Sequence, residues 1–237
     1  MKNIKKFISS PKVTLAAFGV AAGLLLFSTV GGARAALVNY SENHMTRIET
    51  QKIGVSLVER TGENDPVVNP QDLLGGLIDK EDKVKVGQQY AESLSVQNTG
   101  EIDQYVRVTI YRYWVDPENN SEKVKDVYPG YIDLKLNLGD KWVKDENAST
   151  QERTVLYYTE VLRNGSEAVE FANGLRIDPT VAAIVTKDDS GVTYDYQGLE
   201  FRIKVDVDAV QTHNAEDAIL SSWGKNVTVN EDGSLNF

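Results

Sequence analysis

Two stretches of the chain alternate apolar and polar residues without a fault. In the first, Ile132, Leu134, Leu136 and Leu138 are separated by Asp133, Lys135 and Asn137. In the second, Leu199, Phe201, Ile203, Val205 and Val207 are separated by Glu200, Arg202, Lys204 and Asp206. A period of two marks a strand with one face covered and the other wet, so both stretches predict half-buried strands. Val84 to Val115 carries the same signal with interruptions. Tyr90, Leu94 and Val96 share one parity, broken by Glu92; Val106, Val108, Ile110 and Trp114 share another, broken by Arg112. Asn98-Thr99-Gly100 between them offers positive-φ residues for a tight connection, which predicts a hairpin. A hairpin this long needs a second sheet over its apolar face.

The remaining segments supply that cover. Ile53, Val55 and Leu57 alternate within Arg47 to Glu59, which reads as a strand, and Thr61 to Asn69, with Asp65-Pro66, reads as a loop. Leu73 to Ile78 is apolar but split by two glycines and takes no assignment. Asp116 to Gly130 is a polar surface excursion, and Trp142-Val143 begins a strand after Gly139-Asp140. Thr154 to Leu162 is strand-like and runs to an Asn164-Gly165 turn. Ala168 to Ile177 is a short strand interrupted at Asn173-Gly174, and Thr180 to Thr186 fits either a buried strand or a helical segment. A helix follows Val207, with Asn214 as its cap, Asp217 completing a capping box, Ala218, Ile219 and Trp223 as its apolar stripe, and Gly224 as its stop. Val227 to Phe237 adds an edge strand. The tally is about eight strands and one or two short helices: an all-β chain of two packed antiparallel sheets, a β-sandwich.

Composition changes this picture mainly at the amino end. Lys2, Lys5, Lys6 and Lys12 flank the start of an apolar run, Val13 to Val30, and Ala33-Arg34-Ala35 meets the small-x-small rule of signal peptidase. The run approaches the ~20 residues of a spanning helix, so an uncleaved anchor is the alternative. Gly19, Gly23, Gly31, Gly32 and the triplet favour a signal peptide, 1–35, cleaved between Ala35 and Ala36. The mature chain is then one domain, 36–237, a length that a single all-β unit can fill. Losing the leader's five Lys and Arg shifts the net charge from −10 to −15. Such a surface repels nucleic acid and anionic lipid, which leaves the uncleaved leader as the route to a membrane. The chain has no cysteine, so its stability rests on its core.

Catalytic chemistry finds few candidates. His44 and His213 are the two histidines, neither in an H-E-x-x-H spacing, and no G-x-S-x-G elbow accompanies them. The reading is therefore not an enzyme, with no metal and no cofactor. Asp206, Asp208 and the pair Asp188-Asp189 read as a solvated acidic face, because calcium asks for several oxygen ligands on one loop. Tyr105, Tyr111 and Tyr113 form a row that either stacks on sugars or covers a half-exposed sheet.

Three segments together resemble one exported family. The leader and its ARAALVNYSEN junction resemble signal peptides processed by a SipW-type signal peptidase. VKVGQQYAESLSVQNTG is similar to the glycine, extended strand, asparagine–x–glycine unit of the TasA/camelysin family, and VDVDAVQTHNAEDAILSSWG resembles the end of many of its members. The resemblance implies a jelly-roll-like β-sandwich exported by Gram-positive bacteria to the extracellular matrix or cell surface, where the best-known members build biofilm fibres. Some relatives are classed as metalloproteases, a reading these two histidines do not support. The Asp116–Gly130 excursion and the Asp140–Gln151 insertion depart from the shorter members.

The resulting expectation is a secreted structural subunit that polymerises with itself, with other matrix proteins as further partners. Ala36, Leu37, Val38, Asn39 and Tyr40 form an apolar segment released by cleavage, tethered by Ser41 to Thr46. It either donates a strand to the next copy or serves as an ordinary first strand. The competing functions are a monomeric surface module that binds glycan or host protein through the tyrosine row, and an atypical camelysin-like metalloprotease.

Overall fold

The computed structural model describes residues 52–71, 73–74, 84–188, 191–194 and 196–237. The chain divides into Met1–Thr50 and Gln51–Phe237, and the described residues belong to the second unit. The expected signal peptide and its cleavage residues Ala33, Ala35 and Ala36 lie outside the described residues. So do Leu37, Val38, Asn39, Tyr40 and His44.

What is described is mainly β. Strands β1 (Val55–Thr61), β2 (Val67–Val68), β3 (Gln89–Tyr90) and β4 (Glu92–Asn98) are followed by β5 (Gln104–Asp116) and β6 (Glu122–Val124). Next come β7 (Ile132–Leu136), β8 (Trp142–Lys144), β9 (Arg153–Tyr158), β10 (Val169–Ile177), β11 (Val185–Asp188) and β12 (Gly191–Tyr194). The chain closes with β13 (Glu200–Gln211), helix α1 (Ala215–Trp223), β14 (Thr228–Val229) and β15 (Leu235–Asn236). All pairings are antiparallel. One sheet has the order β2-β1-β4-β10-β3 with β7 also on β10, and another has β13-β5-β9-β8 with β6 also on β5. Two short ribbons, β11-β12 and β14-β15, stand apart.

The main core is fed by both large sheets. Leu94, Val96, Leu134, Phe171 and Ala172 come from the six-stranded sheet; Val106, Val108, Ile110, Trp142, Leu156 and Tyr158 come from the five-stranded one. The alternation in the sequence thus reports correctly which faces turn inward.

It misreports a partner. The segment expected to be a hairpin is split between the sheets: β4 pairs with β1 and β10, whereas β5 pairs with β13 and β9. The link between them is an arch that carries the chain from one sheet to the other across the shared core. Asn98 shapes it, its Nδ2 donating to the carbonyls of Ile102 at 2.8 Å and Leu162 at 2.9 Å while its Oδ1 accepts from Gly100 N at 2.9 Å. Gly100 does not have positive φ. Its need for glycine is contact: a Cβ there would sit 2.5 Å from both Gly54 N and Lys52 O.

Smaller departures have similarly local causes. Asn173-Gly174 does not end its strand but makes a register shift in β10, the extra residue of a bulge. Pro179–Ala183 is a 3-10 turn, capped by Asp178, that passes into β11, so the ambiguous stretch is half turn and half strand. α1 ends at Gly224 in the left-handed region, with its N–H bonded to Leu220 O, as expected of a glycine stop. Asn214 precedes the helix but makes no side-chain cap, because it is itself left-handed at φ 50°. Among the described residues, no helix is long and apolar enough to cross a membrane.

Candidate functional site

β13 is the strand that alternates best and yet is not the best buried. Phe201, Ile203, Val205, Val207 and Ala209 are all only half-buried, while Val106 and Val108 on its neighbour are fully enclosed. The cause is position. All twelve residues of β13 pair with β5 on one side, and among the described residues no strand pairs with its other side. An open groove of about 950 Å³ runs along this edge. Its floor is Phe201, Ile203 and Val205 of β13 with Trp114 of β5; its opposite wall is Leu57 of β1 with Leu73 and Leu74. Val84, Val86 and Ile177 also line the groove.

The polar face of β13 is tied up within the strand and its neighbour. Arg202 Nη2 lies 2.6 Å from Glu200, and Lys204 Nζ donates to Asp206 at 2.8 Å. Arg107 donates through Nε and Nη2 to Asp208 Oδ2. The two carboxylates that stood out in the sequence, Asp206 and Asp208, are therefore each paired with a cation. Among the described residues no three His, Cys, Asp or Glu side chains come together as metal ligands, and His213 lies exposed just before α1.

The tyrosine row does not survive as one surface. Tyr105 is 2% exposed, covered by α1 and β15, and its hydroxyl donates to Gly233 O at 2.7 Å. Tyr111 and Tyr113 are half-buried, with Lys204 Nζ 5.6 Å and Lys123 Nζ 5.3 Å from their ring centres. A cation over each face occupies the surface on which a sugar would stack.

Sequence reasoning missed the other half of the site. Glu92 broke the alternation of its strand, and the structure buries it with Glu59 on the inner face of the six-stranded sheet. Thr61 Oγ1 donates to Glu92 Oε2 at 3.1 Å, and Leu74 N donates to Glu59 Oε1. Burial, reinforced by the hydrogen bond and charge of Glu59, pushes the Glu92 carboxyl up to about 8 against the opposing pull of Thr61. The missed signal was the acidic residue at an inward parity; reading it as noise lost the pair.

Comparison of the chain with protein-family models, with curated proteins and with solved structures finds no match.

Proposed function

We propose that this chain is an exported structural subunit whose β13 groove receives an extended strand, the Ala36–Tyr40 segment of a neighbouring copy. The two large sheets then form a jelly-roll-like sandwich of the TasA/camelysin type, released by a SipW-type signal peptidase and polymerised outside the cell into a matrix or surface fibre. The observation that carries the reading is the β13 edge with which no described strand pairs, beside a groove lined in part by its own half-buried apolar residues.

An exposed edge strand with an apolar face is a template for pairing, and native proteins cover or disrupt such edges. β13 is twelve residues long, with no proline in it. An extended segment that docks there gains main-chain hydrogen bonds from the edge and burial for alternate side chains. Ala36–Tyr40 brings Leu37 and Val38 to the apolar side chains of the groove and adds no charge beside Glu200, Arg202 and Lys204, which also line it, and Ser41–Thr46 supplies the tether. Head-to-tail donation does not close on itself, so its product is a filament.

The test is filament formation by the mature protein, followed by electron microscopy and size-exclusion chromatography over days. Deleting Ala36–Tyr40 while preserving cleavage leaves a folded monomer that does not elongate. Filaments from the truncated protein at the undiminished rate would rule out donation by this segment.

A further inference from the structure

The buried carboxyl pair sits where the groove meets the sheet interior. In the β1–β4 ladder Glu59 stands opposite Leu94 and Thr61 opposite Glu92, on the face that Leu57 and Val96 share. Glu59 is 5% exposed and Glu92 is 1% exposed. Glu92 Oε1 is enclosed, and among the described residues no fixed N–H or O–H donor reaches it. Two ionised carboxylates in such a place repel each other and lack solvation. One proton held between them removes the repulsion, leaves a single charge for the Leu74 N–H to solvate, and gives the enclosed oxygen its partner.

Among the described residues, no cation is placed to do the same work. On the elements packed around the pair, Arg202 and Lys204 of β13 engage Glu200 and Asp206. Arg176 of β10 engages Asp133 and Asp178, and Glu170 of β10 accepts from Ser93 and Asn137. Arg112 of β5 points inward but donates to Ile132 O. Arg60 of β1 and Lys85 before β3 are exposed.

The groove wall hangs on this pair. Leu74 lines the groove, its N–H is bonded to Glu59, and its φ of 70° is in the left-handed region. A branched side chain rarely adopts that backbone unless its surroundings hold it there. We infer that Glu59 and Glu92 share one proton, and that this proton latches Leu74, and with it one wall of the groove, against the interior of the sheet. Loss of the proton to solvent leaves two buried carboxylates; Glu59 turns outward, the bond to Leu74 N–H breaks, and the strained residue relaxes. The latch stands on its own geometry. Its consequence for strand capture rests on the function proposed above.

The experiment follows the full chain, labelled with ¹³C-glutamate and ¹⁵N, by NMR from pH 5 to pH 10. The carboxyl carbon of Glu92 and the amide of Leu74 are expected to titrate together, well above the ordinary carboxylate range, and Leu74 loses its exchange protection in the same interval. In E92Q, whose amide keeps a permanent donor toward Glu59, the Leu74 amide becomes independent of pH. Titration of Glu92 in the ordinary range, or a Leu74 amide that ignores it, overturns the inference without any need for the variant to fold.

Binding of a synthetic Ala36–Thr46 peptide is measured in parallel. If only the latched form captures the strand, apparent affinity falls about tenfold one pH unit above the midpoint, since the competent fraction falls to about one in eleven. A coupled Glu92–Leu74 titration with no peptide bound at any pH leaves the latch standing and removes the strand-receiving function. Peptide binding that is flat with pH while Leu74 titrates shows that the wall does not control capture and overturns that part of the inference.

Discussion

Two carboxylates with opposite displacements make the residue scale testable. Glu92 has its folded value raised, so its contribution to stability is fully present below the unfolded value near 4.5 and is lost as pH rises to about 8. Asp145 behaves in reverse. Burial pushes it up, but Lys225 at 2.6 Å and the N–H groups of Ala148 and Asn147 outweigh that and hold it below the ordinary range. Its contribution is present above the unfolded value and is lost as pH falls through the lower folded one. Urea midpoints across pH are expected to decline from pH 5 to pH 8 in the natural chain and to flatten over that window in Glu92→Gln. Lys225→Ala is expected to cost about 1–3 kcal/mol at neutral pH, because it strands a buried, charged acceptor. Gly100 supplies a third check. A Cβ 2.5 Å from two backbone atoms has no flexible neighbour to displace, so Gly100→Ala is expected to cost about 1–3 kcal/mol. A neutral effect in thermal denaturation would mean the arch can shift.

At the scale of elements, the sequence was most legible where a single local rule decides the outcome. Period two placed strands at Ile132–Leu138 and Leu199–Val207, where the structure has Ile132–Leu136 and Glu200–Gln211, and glycine at 224 ended α1. Neither rule says which strand lies beside which. A hairpin and an arch both put alternating residues on either side of a short polar link; the difference lies in long-range partners, here Leu162 and Gly54. Burial was legible in direction but not in degree, because degree depends on whether an edge is covered. The tyrosine row is divided for the same reason: Tyr105 is covered by residues more than a hundred positions away. This yields a graded prediction for two inward aliphatics. Leu94→Ala, in a fully enclosed site, is expected to cost about 2–5 kcal/mol. Ile203→Ala, half-buried over the groove, is expected to cost roughly 1–2 kcal/mol. Equal losses in a denaturant series would show that the groove is filled within the single chain.

At the scale of the whole molecule, two quantities bear on the proposed assembly: charge and the origin of any strand that enters the groove. The chain carries a net charge of −10, and copies cleaved after Ala35 as proposed would carry −15, so if they polymerise, added salt is expected to speed elongation by screening their repulsion. The origin of the strand admits a cleaner measurement because the chain has no cysteine, so any disulfide must come from residues introduced for the purpose. A bridge forms only when the two Cα atoms come within about 7 Å, which makes Leu37→Cys and Ile203→Cys a pair of reporters for the segment and the groove. The two single variants, cleaved and mixed, are expected to give a mixed disulfide dimer whose yield rises with concentration. The double variant separates donation between copies from closure on the same chain. Donation produces ladders of linked copies that vanish on dilution, whereas self-pairing produces a linked monomer whose yield is indifferent to concentration. Linked monomer from the double variant, with no dimer from the mixture, would place the segment in its own groove. The β13 edge with which no described strand pairs would then be a closed seam within one chain rather than a contact that builds a fibre.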